Sequence, residues 1–220
     1  METDAAAFAV SDLVRSLIRD GFGEAHAGGQ MRLELALVAA GAKPALWNWL
    51  QIRPDGSRQI GFRDLWWDPT PILQAMRAEG FAVIVRPDHL RSDRELVVVS
   101  PLETRARRIH VLGRLAWLEE QAGFSSIRNT RRLGVLLGYP RDGALAYAGR
   151  LPRADIRDLP IEVIDRPFAG FAVAATPSGI ADAVEVIERH GRIFRDSFGG
   201  DLHDEAELLS RPLPRRRKAA

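Results

Sequence analysis

The apolar positions of this chain form short helical and extended patterns that alternate along its length. Leu13, Val14, Leu17 and Ile18 recur at i, i+1, i+4 and i+5, which predicts a one-faced amphipathic helix within residues 8–20. Ser11 or Asp12 can cap it, and Gly21 and Gly23 end it. Met31 to Ala40 fits two patterns. Leu33, Leu35 and Leu37 alternate with Arg32 and Glu34 as in a strand, whereas the alanine content favours a helix breaking near Gly41. Trp47, Trp49 and Leu50 then read as extended, Pro54-Asp55-Gly56-Ser57 as a turn, and residues 60–65 as a short extended piece.

Asp68-Pro69-Thr70-Pro71 predicts a helix start, because a first-turn proline lacks only an N–H that has no intrahelical partner. Ile72, Leu73 and Met76 supply its apolar face and Gly80 its stop. Phe81–Arg86 and Glu95–Val99 read as strands, and the short polar link between them favours antiparallel pairing. Ser100, Pro101 and Glu103 predict a capping box opening a helix to about Ala122. Leu102, Ala106, Ile109, Leu112, Leu115 and Ala116 form its stripe. Val111 and Leu118 widen it, which predicts burial on two sides.

Asn129 or Thr130 is expected to cap a short helix that Gly138 and Pro140 end, with Asp142 capping the next one. Ile161–Ile164 and Phe168–Ala175 read as strands. A last helix, opened by Thr176-Pro177-Ser178-Gly179, buries Ile180, Val184, Ile187 and Phe194, with Ala183 and His190 flanking. The sum is a single α/β (α+β) domain over 1–198, with a mixed, antiparallel-rich sheet covered by helices. Residues 199–220 lose periodicity and read as a disordered acidic-then-basic tail.

Composition narrows the function classes. The 220 residues contain no cysteine, which excludes disulfides, thiolate metal sites and cysteine nucleophiles. No apolar run reaches the roughly 18 residues of a membrane span, and the N-terminus lacks a secretory pattern, so a cytoplasmic protein is expected. Lys43 and Lys218 are the only lysines, so 29 of the 31 basic residues are arginine. Five basic residues fall within the last ten, leaving 26 basic against 29 acidic residues in the rest of the chain. Nucleic-acid contact is therefore expected only from the basic tail, and only as nonspecific contact.

Two segments resemble the uncharacterised bacterial family DUF3793. One is Leu137-Gly138-Tyr139-Pro140, preceded by Gly134 and followed by Asp142. The other is Ala40-Gly41-Ala42-Lys43. The order of elements between them is also similar. The resemblance implies a bacterial α/β protein and brings no activity or cofactor with it. The family often carries His-Cys before its Ala-Gly-x-Lys segment, where this chain has Glu34 and Leu35. Its late strand often carries tryptophan and lysine, which residues 170–175 lack.

Lys43, Trp47, Trp49 and Tyr139 are the candidate ligand-binding residues. A lysine at a glycine turn can hold an anion, and tryptophans beside arginines can stack a planar group. Each also has a plainer reading: an exposed turn lysine, core aromatics, and a helix-ending tyrosine. The five histidines show no metal-ligand spacing, so no metal site is expected. The leading reading is a protein binding a small planar or anionic ligand. The alternatives are an interaction or accessory protein using an aromatic surface, and an enzyme using Lys43 and Tyr139.

Overall fold

The structure is a computed structural model that describes residues 10–20, 29–59, 67–88, 91–124, 126–148 and 180–203. The strands expected at 161–164 and 168–175, the extended piece at 60–65 and the helix start at 176–179 lie outside these residues.

Four strands form one antiparallel sheet: β1 (Leu46–Ile52), β2 (Arg58–Gln59), β3 (Ala82–Pro87) and β4 (Arg94–Ser100), in the order β2-β1-β4-β3. The β3–β4 hairpin has the antiparallel sense its short link requires, with Ile84 opposite Val98. Strand β1 lies on the other side of β4, with Trp47 opposite Val98 and Leu46 opposite Val99. The turn at Asp55-Gly56 joins β1 to β2; Asp55 Oδ1 accepts from the Ser57 N–H and Gly56 has a φ of 81°.

Side chains alternate between the two faces of this sheet, and each face buries its own apolar cluster. Leu46, Leu50, Val97 and Val99 face one layer of helices: α1 (Asp12–Arg19), α2 (Gly29–Ala39), α3 (Thr70–Ala78) and α7 (Ile180–Phe198). Leu96, Val98, Trp47, Trp49 and Ile84 face the other layer, of α4 (Glu103–Gln121) and α5 (Ile127–Leu136), with α6 (Arg141–Tyr147) packed on α5. The molecule is thus one α/β domain with a four-stranded antiparallel sheet between helical layers.

Residues 31–39 are helical, and Ala40 begins the turn that follows. Every residue of that stretch is buried, including Arg32 and Glu34, and the guanidinium of Arg32 lies 4.5 Å from the Trp67 ring. Its strand-like alternation follows from a helix enclosed on all sides, which needs no polar face. Helix α1 is capped by Ser11, whose Oγ accepts from the Val14 N–H.

Three local expectations are corrected. Ser100 is not the cap of α4 but the last residue of β4, paired with Ala82; Leu102 holds the cap position without a side-chain cap bond. The Ser100 hydroxyl donates to the Pro44 carbonyl at 3.0 Å, so it joins two segments far apart in sequence. Helix α5 begins at Ile127, ahead of Asn129, because Ser126 Oγ accepts from the Asn129 N–H. The expected burial of α4 on two sides is also overturned. Ala106, Ile109 and Gly113 are buried against the sheet, but Leu102, Val111, Leu115 and Leu118 are exposed. At the C-terminal end, residues 200–203 make a helical turn that buries Leu202 and His203.

Candidate functional site

The two short segments singled out in the sequence meet in space. Gly41, with a φ of 74°, ends α2, and the Lys43 N–H returns to the Leu37 carbonyl at 2.9 Å. This reversal carries the Lys43 side chain back along α2, where Nζ binds Glu34 Oε2 at 2.8 Å. Both residues are buried, Lys43 to 4% exposure. Opposite them, Gly138 ends α5 at a φ of 90° and presses on Pro44; a Cβ at Gly138 would lie 2.5 Å from Pro44 Cδ. The following Tyr139 places its ring 5.8 Å from Lys43 Nζ.

Helix α7 completes the enclosure. Ile187, His190, Phe194 and Phe198 form its buried stripe, so His190 is central rather than flanking. Its ring lies against the Lys43 turn and hydrogen-bonds the Ala42 carbonyl, while Nδ1 is buried without a partner. Burial, aided by the nearby charges of Arg189 and Lys43, pushes the His190 pKa from 6.5 down to about 4. The ring is therefore neutral near pH 7.

The candidate tryptophans belong to a different assembly. Trp47 and Trp49 share the face of β1 that meets α4, with ring centroids 6.3 Å apart. Trp49 lies 5.4 Å from Trp117 of α4. Trp47 fits against Gly113, where a Cβ would come within 2.4 Å of its Nε1. All three indoles are half-buried, and Trp47, Trp49 and Tyr139 pack on the same apolar cluster. The structure thus brings Lys43 to Tyr139 and Trp47 to Trp49, as two neighbouring groupings on one layer.

Outward from the tryptophans, α4 and α5 form a helical hairpin. Glu119 of α4 ties it closed: its carboxylate accepts from the Ser126 N–H at 2.9 Å and from Asn129 Nδ2 at 2.7 Å. The hairpin's outer face exposes Val111 at 55% and Val135 at 47%, with Leu115 and Leu118 continuing along α4. A groove of about 920 Å³ runs between the two helices, floored by Val111, Leu112, Val135 and Leu136. Arg107, Arg108, Arg131 and Arg132 stand along it.

Comparison of the chain with protein families, with curated proteins and with solved structures finds no match. The two segments 40–43 and 137–140 lie close together in this fold, where Gly138 packs on Pro44 and the Tyr139 ring lies near Lys43.

The Glu34 contact and the groove go beyond what the sequence spacing predicts, and His190, expected beside the buried face, sits within it. Glu34 has no local signal, since its partner is supplied by a chain reversal. His190 was available from spacing alone: it lies three residues after Ile187 and four before Phe194, within the stripe. The groove also has a sequence mark. Arg107-Arg108-Ile109-His110-Val111-Leu112 and Arg131-Arg132-Leu133-Gly134-Val135-Leu136 share the pattern Arg-Arg-x-x-Val-Leu, read once on each helix.

Proposed function

We propose that this chain is a protein-interaction module whose working surface is the outer face of the α4–α5 hairpin. The observation that carries this reading is the exposure of Val111, Leu115, Leu118 and Val135 together on one face. A contiguous apolar face on a folded domain costs solubility, and such faces mark partner sites. The half-buried Trp117 of α4 packs on Trp49 of β1, so this helix is tied to the sheet by an aromatic contact.

The small-ligand reading at Lys43, Trp47, Trp49 and Tyr139 has less behind it. Lys43 is buried and its charge is neutralised by Glu34, so an incoming anion would have to displace a 2.8 Å ion pair. The indoles of Trp47 and Trp49 pack against α4 rather than flanking an open slot.

A photo-crosslinking amino acid placed at Leu115, in the full-length chain expressed in its host, tests the proposal. A discrete adduct, absent when the same group replaces Arg77 on the opposite layer, is the expected result. Adducts of equal kind from both positions, or from neither, would refute the interaction reading.

A further inference from the structure

Resting on that reading, we infer that the partner element is an acidic amphipathic helix, seated in the α4–α5 groove with its carboxylates on the arginines. Three observations lead there. The first is the duplicated Arg-Arg-x-x-Val-Leu pattern. On each helix it sets an arginine pair one turn before an aliphatic pair; because the hairpin's helices run antiparallel, the aliphatic pairs meet along the groove and an arginine pair stands toward either end. The second is charge. Arg108, Arg131 and Arg132 form no ion pair among the described residues, and Arg107 is held only by the exposed neighbour Glu103. Four guanidinium groups around one groove repel one another and await an anionic complement. The third is the floor. Val111, Leu112, Val135 and Leu136 form an apolar strip between the arginines, which suits the apolar side chains of an extended partner element.

These features select among anionic partners. A nucleic acid would satisfy the arginines but leave the aliphatic floor facing sugar and phosphate, with no aromatic ring in the groove for a base to stack on. An anionic lipid surface would meet the arginine rim but not reach into a concavity. A helix laid in the groove places apolar side chains on the floor, and carboxylates a turn away on the arginines, as helix-in-groove recognition requires. Guanidinium favours carboxylate because its planar fork can meet both oxygens.

The test uses the full chain and a labelled synthetic peptide of about 18 residues, long enough to hold several helical turns. Its leucines follow i, i+3, i+4 and i+7, and glutamates flank them. Two kinds of control accompany it: a scrambled isomer of the same composition, and poly-uridine RNA and phosphatidylserine vesicles as competitors. Fluorescence anisotropy is expected to show saturable binding that the scrambled isomer lacks. The exposed pair Arg108→Glu/Arg132→Glu should weaken binding by at least about tenfold, as should Val111→Ser/Val135→Ser. Circular dichroism melts of both variants confirm that they remain folded.

Equal affinity for the scrambled isomer would reduce the effect to bulk charge and overturn the inference. So would displacement by RNA or vesicles at lower charge concentration than free peptide requires. Loss of binding on the valine changes alone, with the arginine reversal silent, would overturn the acidic partner and leave the interaction surface standing. An absence of peptide binding, alongside a position-115 adduct that the valine changes abolish, would do the same. Silence in both experiments would remove both readings.

Discussion

At the scale of single residues, the Lys43–Glu34 pair is best understood as a buried contact that holds a chain reversal to its own helix. Removing one member of such a pair leaves the other charge desolvated and unpaired, which costs more than the pair itself contributes. Lys43→Met should therefore lower the unfolding free energy by about 3 to 5 kcal/mol in denaturant titration. The double change Glu34→Leu/Lys43→Met should recover most of that loss. A wild-type unfolding curve for Lys43→Met would contradict the structural role and return attention to ligand binding there.

His190 gives the same region a dependence on pH. Its folded-state pKa, about 4, lies below the 6.5 of an ordinary histidine, so between these values the unfolded chain binds the extra proton. Stability is full above about pH 6.5 and declines as pH falls toward 4, by roughly 3 kcal/mol at most. The charges bearing on the ring are Arg189 on its own helix and Lys43 across from it, and both oppose protonation. His190→Gln, which cannot titrate, should flatten this decline; urea unfolding of both proteins from pH 7 to pH 4 measures the difference.

At the scale of elements, the sequence was most readable where local chemistry decides the outcome. The β3–β4 hairpin, the proline-led start of α3 and the glycine stop of α5 all depend on neighbours in the chain. Elsewhere distant contacts intervene. Ser100 has the residue type of a helix cap, yet its place in the ladder opposite Ala82 keeps it in β4. The wide apolar stripe of α4 predicts two buried sides because periodicity reports which side chains are apolar, not what covers them. The site divided in the same way. The Lys43 turn and the Gly-Tyr-Pro corner were both visible as punctuation, but their meeting at Pro44 depends on α5 crossing back to the end of α2.

That meeting can be measured. Gly138→Ala puts a side chain at a φ of 90° and against Pro44, combining backbone strain with steric displacement. A loss of about 2 to 4 kcal/mol is expected from thermal or chemical unfolding. Gly123→Ala is the matched control. Its φ of 78° carries similar strain, but a Cβ there meets nothing within 4 Å, so the loss should be about 1 to 2 kcal/mol. Equal losses would mean that the corner does not bear on the turn.

At the scale of the whole molecule, the two helical layers have different tasks. The layer of α1, α2, α3 and α7 contains most of the deeply buried side chains, including Ile18, Met76 and Phe194. The layer of α4 and α5 covers the other face of the sheet thinly and turns aliphatic side chains outward. Substitutions on that outer face should consequently separate stability from association. Val111→Ser/Val135→Ser is expected to change unfolding free energy by no more than about 1 kcal/mol, since both side chains are largely exposed. Light scattering should show less self-association at high concentration. A large loss of stability would place these valines in the core. Among the described residues no helix is long and apolar enough to cross a membrane.

The scarcity of lysine gives the buried turn a practical use. The sequence has two lysines, Lys43 and Lys218, and Lys43 is enclosed. An acylating reagent should modify Lys43 only when the α2 turn opens. Peptide mapping after timed acylation would then read the opening rate of this contact from unmodified protein. The wild-type chain carries its own clock for local unfolding.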